Sequence, residues 1–236
     1  MIPRSGRLIA AFASLLLSYQ AAAGQGLSSG CWGMDIRGGY GFMIAHREAL
    51  LRMQEAHLGS AEFAVYRTTN GKNDWEKQFL LPEEGIQLEF INPGSPDFIG
   101  KVTALYPYVD FPLSANDKRL LWLRYGLGLG YIEKIFDPLD NYKNAAIGSH
   151  LNGVLHLELQ LRTPAGKQGA VIIGLGLTHL SNGGTRMPNL GINLPKATIG
   201  YRHDFGQRSD TPERSTEERV SPAGWQCYLA GGMKEI

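Results

Sequence analysis

The sequence predicts an all-β protein, an eight-stranded antiparallel β-barrel of the bacterial outer membrane. Three observations support this fold class: an N-terminal export signal, the lack of a long apolar run after it, and eight segments in which apolar and polar residues alternate. A net charge of +1 with 43% hydrophobic residues gives no indication of nucleic-acid binding.

Residues 1–23 have the pattern of a secretory signal peptide. Arg4 and Arg7 supply positive charge, residues 8–19 are mostly apolar, and residues 21–23 are three alanines suited to cleavage. We therefore expect an exported chain. In an oxidising compartment Cys31 and Cys227 either form a disulfide or remain two thiols.

The alternation is clearest in residues 151–162, where leucines share one face and polar residues, including Glu158 and Arg162, share the other. Residues 121–131 repeat it, with Leu and Tyr opposite Trp122, Arg124 and three glycines. The predicted strands are 34–44, 61–69, 85–91, 100–111, 121–131, 151–162, 171–181 and 196–205. An even number of strands is usual in single-chain bacterial barrels.

The face that carries charge distinguishes a membrane barrel from a soluble one. If the broad Leu and Tyr face meets lipid, then Arg124, Glu158 and Arg162 must point inwards, and Asp35 and Arg37 are expected to join them in ion pairs. The export signal and aromatic residues near strand ends favour this arrangement. The alternative, a soluble periplasmic barrel that carries an apolar ligand, would invert the two faces.

The C-terminal part has a different character from the barrel, which is expected to span residues 24–205. Residues 206–224 are polar and charged, as in a loop or linker. Residues 225–236 have the pattern of a ninth strand, which we expect either to pack outside the barrel or to be a truncated segment.

The candidate chemistry lies where the predicted strand 171–181 ends. Its apolar face continues into His179 and Ser181, so a base and a hydroxyl nucleophile are expected within reach of each other on the lipid-facing surface. On these residues alone, an interfacial polar pair without a catalytic role remains the alternative. Groups that can donate hydrogen bonds to an oxyanion follow directly, at Asn182, Gly183 and Gly184.

The run His179-x-Ser181-Asn182-Gly183-Gly184, followed by Pro188-Asn189 and Gly191, resembles the signature of the lipid A 3-O-deacylases, the PagL family, also called acyloxyacyl hydrolases. The resemblance implies an eight-stranded outer-membrane barrel that removes an ester-linked acyl chain from lipid A at a site on its outer surface. It also implies that Ser181 is the nucleophile, His179 the general base, and Asn182 with the neighbouring backbone an oxyanion hole. No cofactor or metal is expected, and the partner is lipid A or another acylated membrane lipid.

One residue departs from the family pattern. The family has a Glu fourteen residues after the His, and this chain has Asn193 there, with the strand parity needed to face His179. An Asn in place of the Asp of a serine triad lowers turnover about ten-thousandfold by fixing the wrong tautomer. Two alternatives follow: an ester hydrolase in which Asn193, or a substitute carboxylate such as Asp204, orients the imidazole, and a non-catalytic structural or lipid-binding barrel.

Two further groups are expected to have structural roles. The segment Ser149-His150-Leu151-Asn152 is expected to cap a turn at the start of a strand. His46 and His57 flank a stretch expected to contain a short loop helix, and neither is assigned to a site.

Overall fold

A computed structural model describes residues 30–113 and 120–206 of the chain. Within them, eight strands pair antiparallel in chain order, and the last strand pairs with the first to close a barrel. The strands are β1 (Trp32–Gly41), β2 (Leu58–Thr68), β3 (Glu83–Asn92), β4 (Val102–Pro112), β5 (Leu121–Ile132), β6 (Leu151–Pro164), β7 (Gly169–Ser181) and β8 (Ile192–Asp204). The eight-stranded fold expected from the alternation is confirmed. The predicted signal peptide, Cys227, and the predicted linker and ninth strand lie outside the described residues.

Two short helices lie in connections between strands: α1 (Glu48–Leu51) between β1 and β2, and α2 (Asp74–Gln78) between β2 and β3. The expected loop helix near His46 is therefore present, although it is only 4 residues long. In the described part of the chain, no helix has the length and apolar character needed to cross a membrane.

The outer surface of the barrel is apolar. Leucine, isoleucine and tyrosine side chains alternate along the strands on this side, and several are more than half exposed, such as Leu175 (68%) and Ile199 (63%). Apolar side chains in bands like these are suited to a hydrocarbon surrounding and not to water. The face that the sequence assigns to lipid is therefore the outer face.

The inner face carries the charges in a set of buried ion pairs. Arg124 binds both carboxylate oxygens of Asp110 at 2.8 Å and reaches Asp35 at 3.3 Å. Arg37 pairs with Asp35 at 2.9 Å and also with Glu158. The predicted inward placement of Arg124, Glu158, Asp35 and Arg37 is confirmed, and the same holds for Arg162. The soluble alternative, which needs these side chains in water, is wrong.

The interior also shapes the strand that ends at the candidate site. The inner face of β7 is largely small residues, and a Cβ built at Gly174 would lie 2.3 Å from Glu158 Oε1. The missing side chain makes room for the Glu158 carboxylate, which accepts a hydrogen bond from Thr198 Oγ1 on β8 at 2.6 Å. The β6, β7 and β8 strands are thereby joined from inside, beneath the outer surface that carries His179.

Candidate functional site

The candidate site lies at the C-terminal end of β7, on the outside of the barrel. His179 and Ser181 are half-buried, whereas Leu180 between them is fully buried, as the alternation requires. Across the β7–β8 ladder, His179 is paired directly with Asn193. On the other side, Ser181 is paired with Gly153 of β6.

The imidazole of His179 is held by the residue that replaces the expected Glu. His179 Nδ1 lies 2.7 Å from Asn193 Oδ1. The amide nitrogen of Asn193 lies in turn 3.1 Å from Nδ1 of His46, and Nε2 of His46 lies 3.1 Å from the carbonyl oxygen of Leu190. Four residues therefore form one chain of hydrogen bonds, which leaves Nε2 of His179 at its end.

The hydroxyl of Ser181 is directed towards the loop that connects β7 and β8. Asn189 Nδ2 donates to Ser181 Oγ at 3.0 Å, and the backbone N–H of Gly183 donates to it at 3.2 Å. Asn189 is fixed in this orientation because its Oδ1 accepts the N–H of Asn182 at 3.1 Å. Within residues 30–113 and 120–206, no hydrogen bond joins Ser181 to His179.

Asn182 organises the loop and does not face the space beside Ser181. Its amide nitrogen donates to Ser149 Oγ at 2.9 Å and to the carbonyl of Arg186 at 2.8 Å. Its Oδ1 accepts the N–H of Gly184 at 2.9 Å. These donors are used within the loop, whereas the backbone N–H of Gly183 lies beside the hydroxyl. The oxyanion role expected for Asn182, Gly183 and Gly184 stays a prediction.

The turn before β6, at residues 149–152, has the capping role that the sequence predicts. Asn152 Nδ2 donates to the carbonyls of Ser149 and His150 at 2.7 and 3.1 Å, which closes the turn. Because Ser149 Oγ also accepts from Asn182, this turn anchors the loop that holds Ser181. The turn therefore supports the site without contributing a reactive group.

Two glycines define the space around the reactive side chains. Gly191 has φ of 79°, and a Cβ built on it would lie 3.0 Å from His179 Cε1, so the backbone packs closely against the ring. Gly153 has no side chain next to Ser181, whereas its neighbours on the same outer face, Leu151 and Leu155, are large. A gap with apolar sides therefore lies beside the hydroxyl.

The substitute carboxylate considered for Asn193 is not available. Asp204 lies at the other end of β8, eleven residues or roughly 35 Å along the strand. There it accepts a hydrogen bond from Tyr66 at 2.6 Å. The alternative in which Asp204 orients His179 is wrong for this reason. Among the described residues, no group of three His, Cys, Asp or Glu side chains is placed to hold a metal ion.

Sequence reasoning missed two residues of the site. Asn189 is part of the motif that resembles the family signature, but the sequence alone gives it no role. Its place in that motif, eight residues after Ser181, is the feature that could have pointed to the site. His46 lies 147 residues before Asn193 and had no such signal, because the contact depends on closure of the barrel.

The chain is similar to one protein family and to two outer-membrane proteins of known structure. The model of the family described as lipid A 3-O-deacylase (PagL) matches residues 38–202. Among solved structures, the crystal structure of the outer membrane enzyme PagL is similar, with 13% identity, a TM-score of 0.48, and coverage of 70% of this chain and 97% of that chain. The backbone structure of the Yersinia pestis outer membrane protein Ail in a phospholipid bilayer nanodisc has 12% identity, a TM-score of 0.39, and coverage of 74% and 99%. No curated protein matches the chain.

Proposed function

The chain belongs to the lipid A 3-O-deacylase (PagL) family, and from this premise we propose that it is an outer-membrane hydrolase that releases an ester-linked acyl chain from lipid A. The observation that carries the proposal is the pair His179 and Ser181 at the end of an apolar, outward-facing strand. An ester between a sugar headgroup and a hydrocarbon chain lies at the same kind of boundary.

In the proposed reaction Ser181 Oγ attacks the ester carbonyl while Nε2 of His179 takes its proton. The tetrahedral intermediate collapses, and His179 returns the proton to the departing sugar oxygen. Water, deprotonated by His179, then attacks the acyl-enzyme and releases the fatty acid, and the proton returns to Ser181. The 2.7 Å contact between Asn193 Oδ1 and His179 Nδ1 supports this assignment, because it leaves Nε2 as the basic nitrogen.

Charge on the intermediate is stabilised, in our proposal, by the two N–H groups that now hold the serine. Asn189 Nδ2 and the Gly183 N–H converge on one oxygen at 3.0 and 3.2 Å, distances close to those of an oxyanion hole. When Ser181 rotates towards His179, both N–H groups are released and become free to donate to the carbonyl oxygen of the substrate.

The gap at Gly153 is proposed as the seat of the acyl chain next to the ester. It is flanked by Leu151 and Leu155 on β6 and paired with Leu129 on β5, so three leucines surround the position next to Ser181. A hydrocarbon chain placed there stays within the apolar surface while its ester reaches the hydroxyl.

The test is direct. The refolded protein is incubated with lipid A in detergent, and the products are followed by mass spectrometry, with an active family member run alongside. We expect loss of one hydroxyacyl group and complete loss of this activity in Ser181→Ala. Intact lipid A under conditions in which the family member is active would contradict the proposal.

A second candidate function, a non-catalytic structural or lipid-binding barrel, is favoured by one observation, the replacement of the family Glu by Asn193. Asn193→Glu separates the two candidates. Release of fatty acid by the native chain supports the hydrolase, whereas release by Asn193→Glu alone shows an assembled site that lacks only its acid. Inactivity of both, with lipid A still bound, supports the non-catalytic barrel.

A further inference from the structure

We infer that His46 is a positioning residue, which fixes the amide of Asn193 so that its oxygen faces His179 and thereby selects the tautomer of that histidine. The catalytic consequence of this arrangement rests on the proposed function. The arrangement itself is a property of three side chains and one carbonyl, and it is measurable without substrate.

The backbone brings His46 to the site in a defined way. After β1 the chain continues beside the start of β8, where Phe42 N–H donates to the Pro195 carbonyl at 3.2 Å and Ile44 N–H donates to the Asn193 carbonyl at 2.9 Å. His46 follows two residues later, so its ring is carried to the amide of Asn193.

The Leu190 carbonyl determines which atoms donate and which accept along the chain of hydrogen bonds from Leu190 to His179. The carbonyl of Leu190 can only accept, so His46 Nε2 must carry a hydrogen. In the neutral ring Nδ1 then has the lone pair and accepts from Asn193 Nδ2. The amide nitrogen is thereby directed at His46, and the oxygen is left to accept from Nδ1–H of His179.

The opposite orientation of the Asn193 amide, with its oxygen and nitrogen exchanged, is disfavoured at both ends of the group. Its nitrogen would face His179, which would then need its hydrogen on Nε2 and would lose the basic nitrogen there. Its oxygen would face His46, which would need its hydrogen on Nδ1 and would turn a lone pair towards the Leu190 carbonyl. Two hydrogen bonds therefore oppose the reversal.

The contact with His46 fixes the orientation of the Asn193 side chain, which would not matter for a carboxylate. A Glu or Asp offers only acceptor oxygens, so either orientation holds His179 in the same tautomer. An Asn offers an oxygen on one side and a nitrogen on the other, and orientation becomes decisive. His46 supplies the selectivity that the missing negative charge would otherwise give.

The first test is nitrogen-15 NMR of the histidine rings in detergent micelles. The chain has six histidines, and His179→Ala identifies the relevant signals. We expect Nδ1–H to dominate at His179 in the native protein and to become the minor tautomer in His46→Ala. An unchanged tautomer in His46→Ala would overturn the inference, whatever the activity. His57→Ala, in the same connection between strands, is the matched control and is expected to leave the His179 signals unchanged.

The second test is a double-mutant cycle measured as kcat for release of fatty acid. His46→Ala is expected to lower kcat about three- to tenfold in the native background, the range set by one net hydrogen bond. In the Asn193→Asp background the same substitution is expected to change kcat less than twofold, since a carboxylate needs no orienting partner. Equal losses in both backgrounds would show that His46 only supports the fold. Complete inactivity of the native chain would refute the proposed function, while the NMR result would still decide the role of His46.

Discussion

Replacement of Asn193 by Asp tests how the site works without a carboxylate. By analogy with a serine triad in which Asn fixes the wrong tautomer, restoring the acid should raise turnover about ten-thousandfold. In this structure, however, Asn193 Oδ1 already faces Nδ1 of His179 at 2.7 Å, so the tautomer needs no correction. What remains is the difference between a neutral hydrogen bond and a charge-assisted one, about 1–1.5 kcal/mol. The expected gain in kcat is therefore about tenfold.

The assay is the initial rate of hydroxy fatty acid release from lipid A at saturating substrate, with heat-modifiable migration on gels as the check on folding. Asn193→Leu, which removes the acceptor and keeps the branching of the side chain, is the control and should lower kcat below the native value. A gain of thousands-fold in Asn193→Asp would refute the reasoning, because it would mean that His179 carries its proton on the wrong nitrogen. An unchanged or lower rate would show that the carboxylate does not stabilise the imidazolium.

Three further substitutions test other parts of the site. Asn189→Ala should lower kcat by about 10²–10³, the effect of losing one oxyanion donor, with little change in KM, as measured by steady-state kinetics; an unchanged kcat would remove Asn189 from that role. Gly191→Ala should lower kcat by about tenfold or more while the protein still folds. The added Cβ would lie 3.0 Å from His179 Cε1, at a residue whose φ is 79°, and would displace the ring. Native kinetics would contradict the close packing. Gly153→Phe should raise KM for lipid A by filling the apolar gap. Leu159→Phe, further along the same outer face of β6, is the control and should leave KM unchanged. Equal effects of the two substitutions would argue against binding of the acyl chain at Gly153.

The strands and their faces follow from the sequence because a barrel wall imposes one simple rule. Successive side chains point to opposite sides, and only one side meets lipid, so the leucines of β6 and the buried Arg124 and Glu158 are assigned together. Parity also predicts that Asn193 faces His179, since the two strands are adjacent in the chain. Local periodicity therefore accounts for most of the fold and for the centre of the site.

The remaining features of the site depend on loop geometry, which produces no regular pattern in the sequence. Asn182 is predicted beside the oxyanion from its place in the motif, and sequence periodicity does not predict that its side chain bonds to the backbone of its own turn. Asp204 was considered because it is a carboxylate on the same strand, although strand rise alone separates it from Asn193 by roughly 35 Å. To predict the contact of His46 with Asn193, two facts are needed together: the pairing of β1 with β8, and the direction of the His46 ring beyond the end of β1.

The exchange of a carboxylate for a neutral relay also has a physical rationale in the position of the site. His179 and Asn193 lie on the outer wall next to exposed leucine and isoleucine side chains, a surface suited to lipid. An ionised carboxylate is costly to desolvate there unless a partner neutralises it, and His179 becomes positive only during the reaction. An amide held by His46 avoids this cost in the resting protein, at the expense of weaker stabilisation of the imidazolium. Under the proposed function, the pair His46 and Asn193 gives a lower rate than a carboxylate would and keeps the site neutral between turnovers.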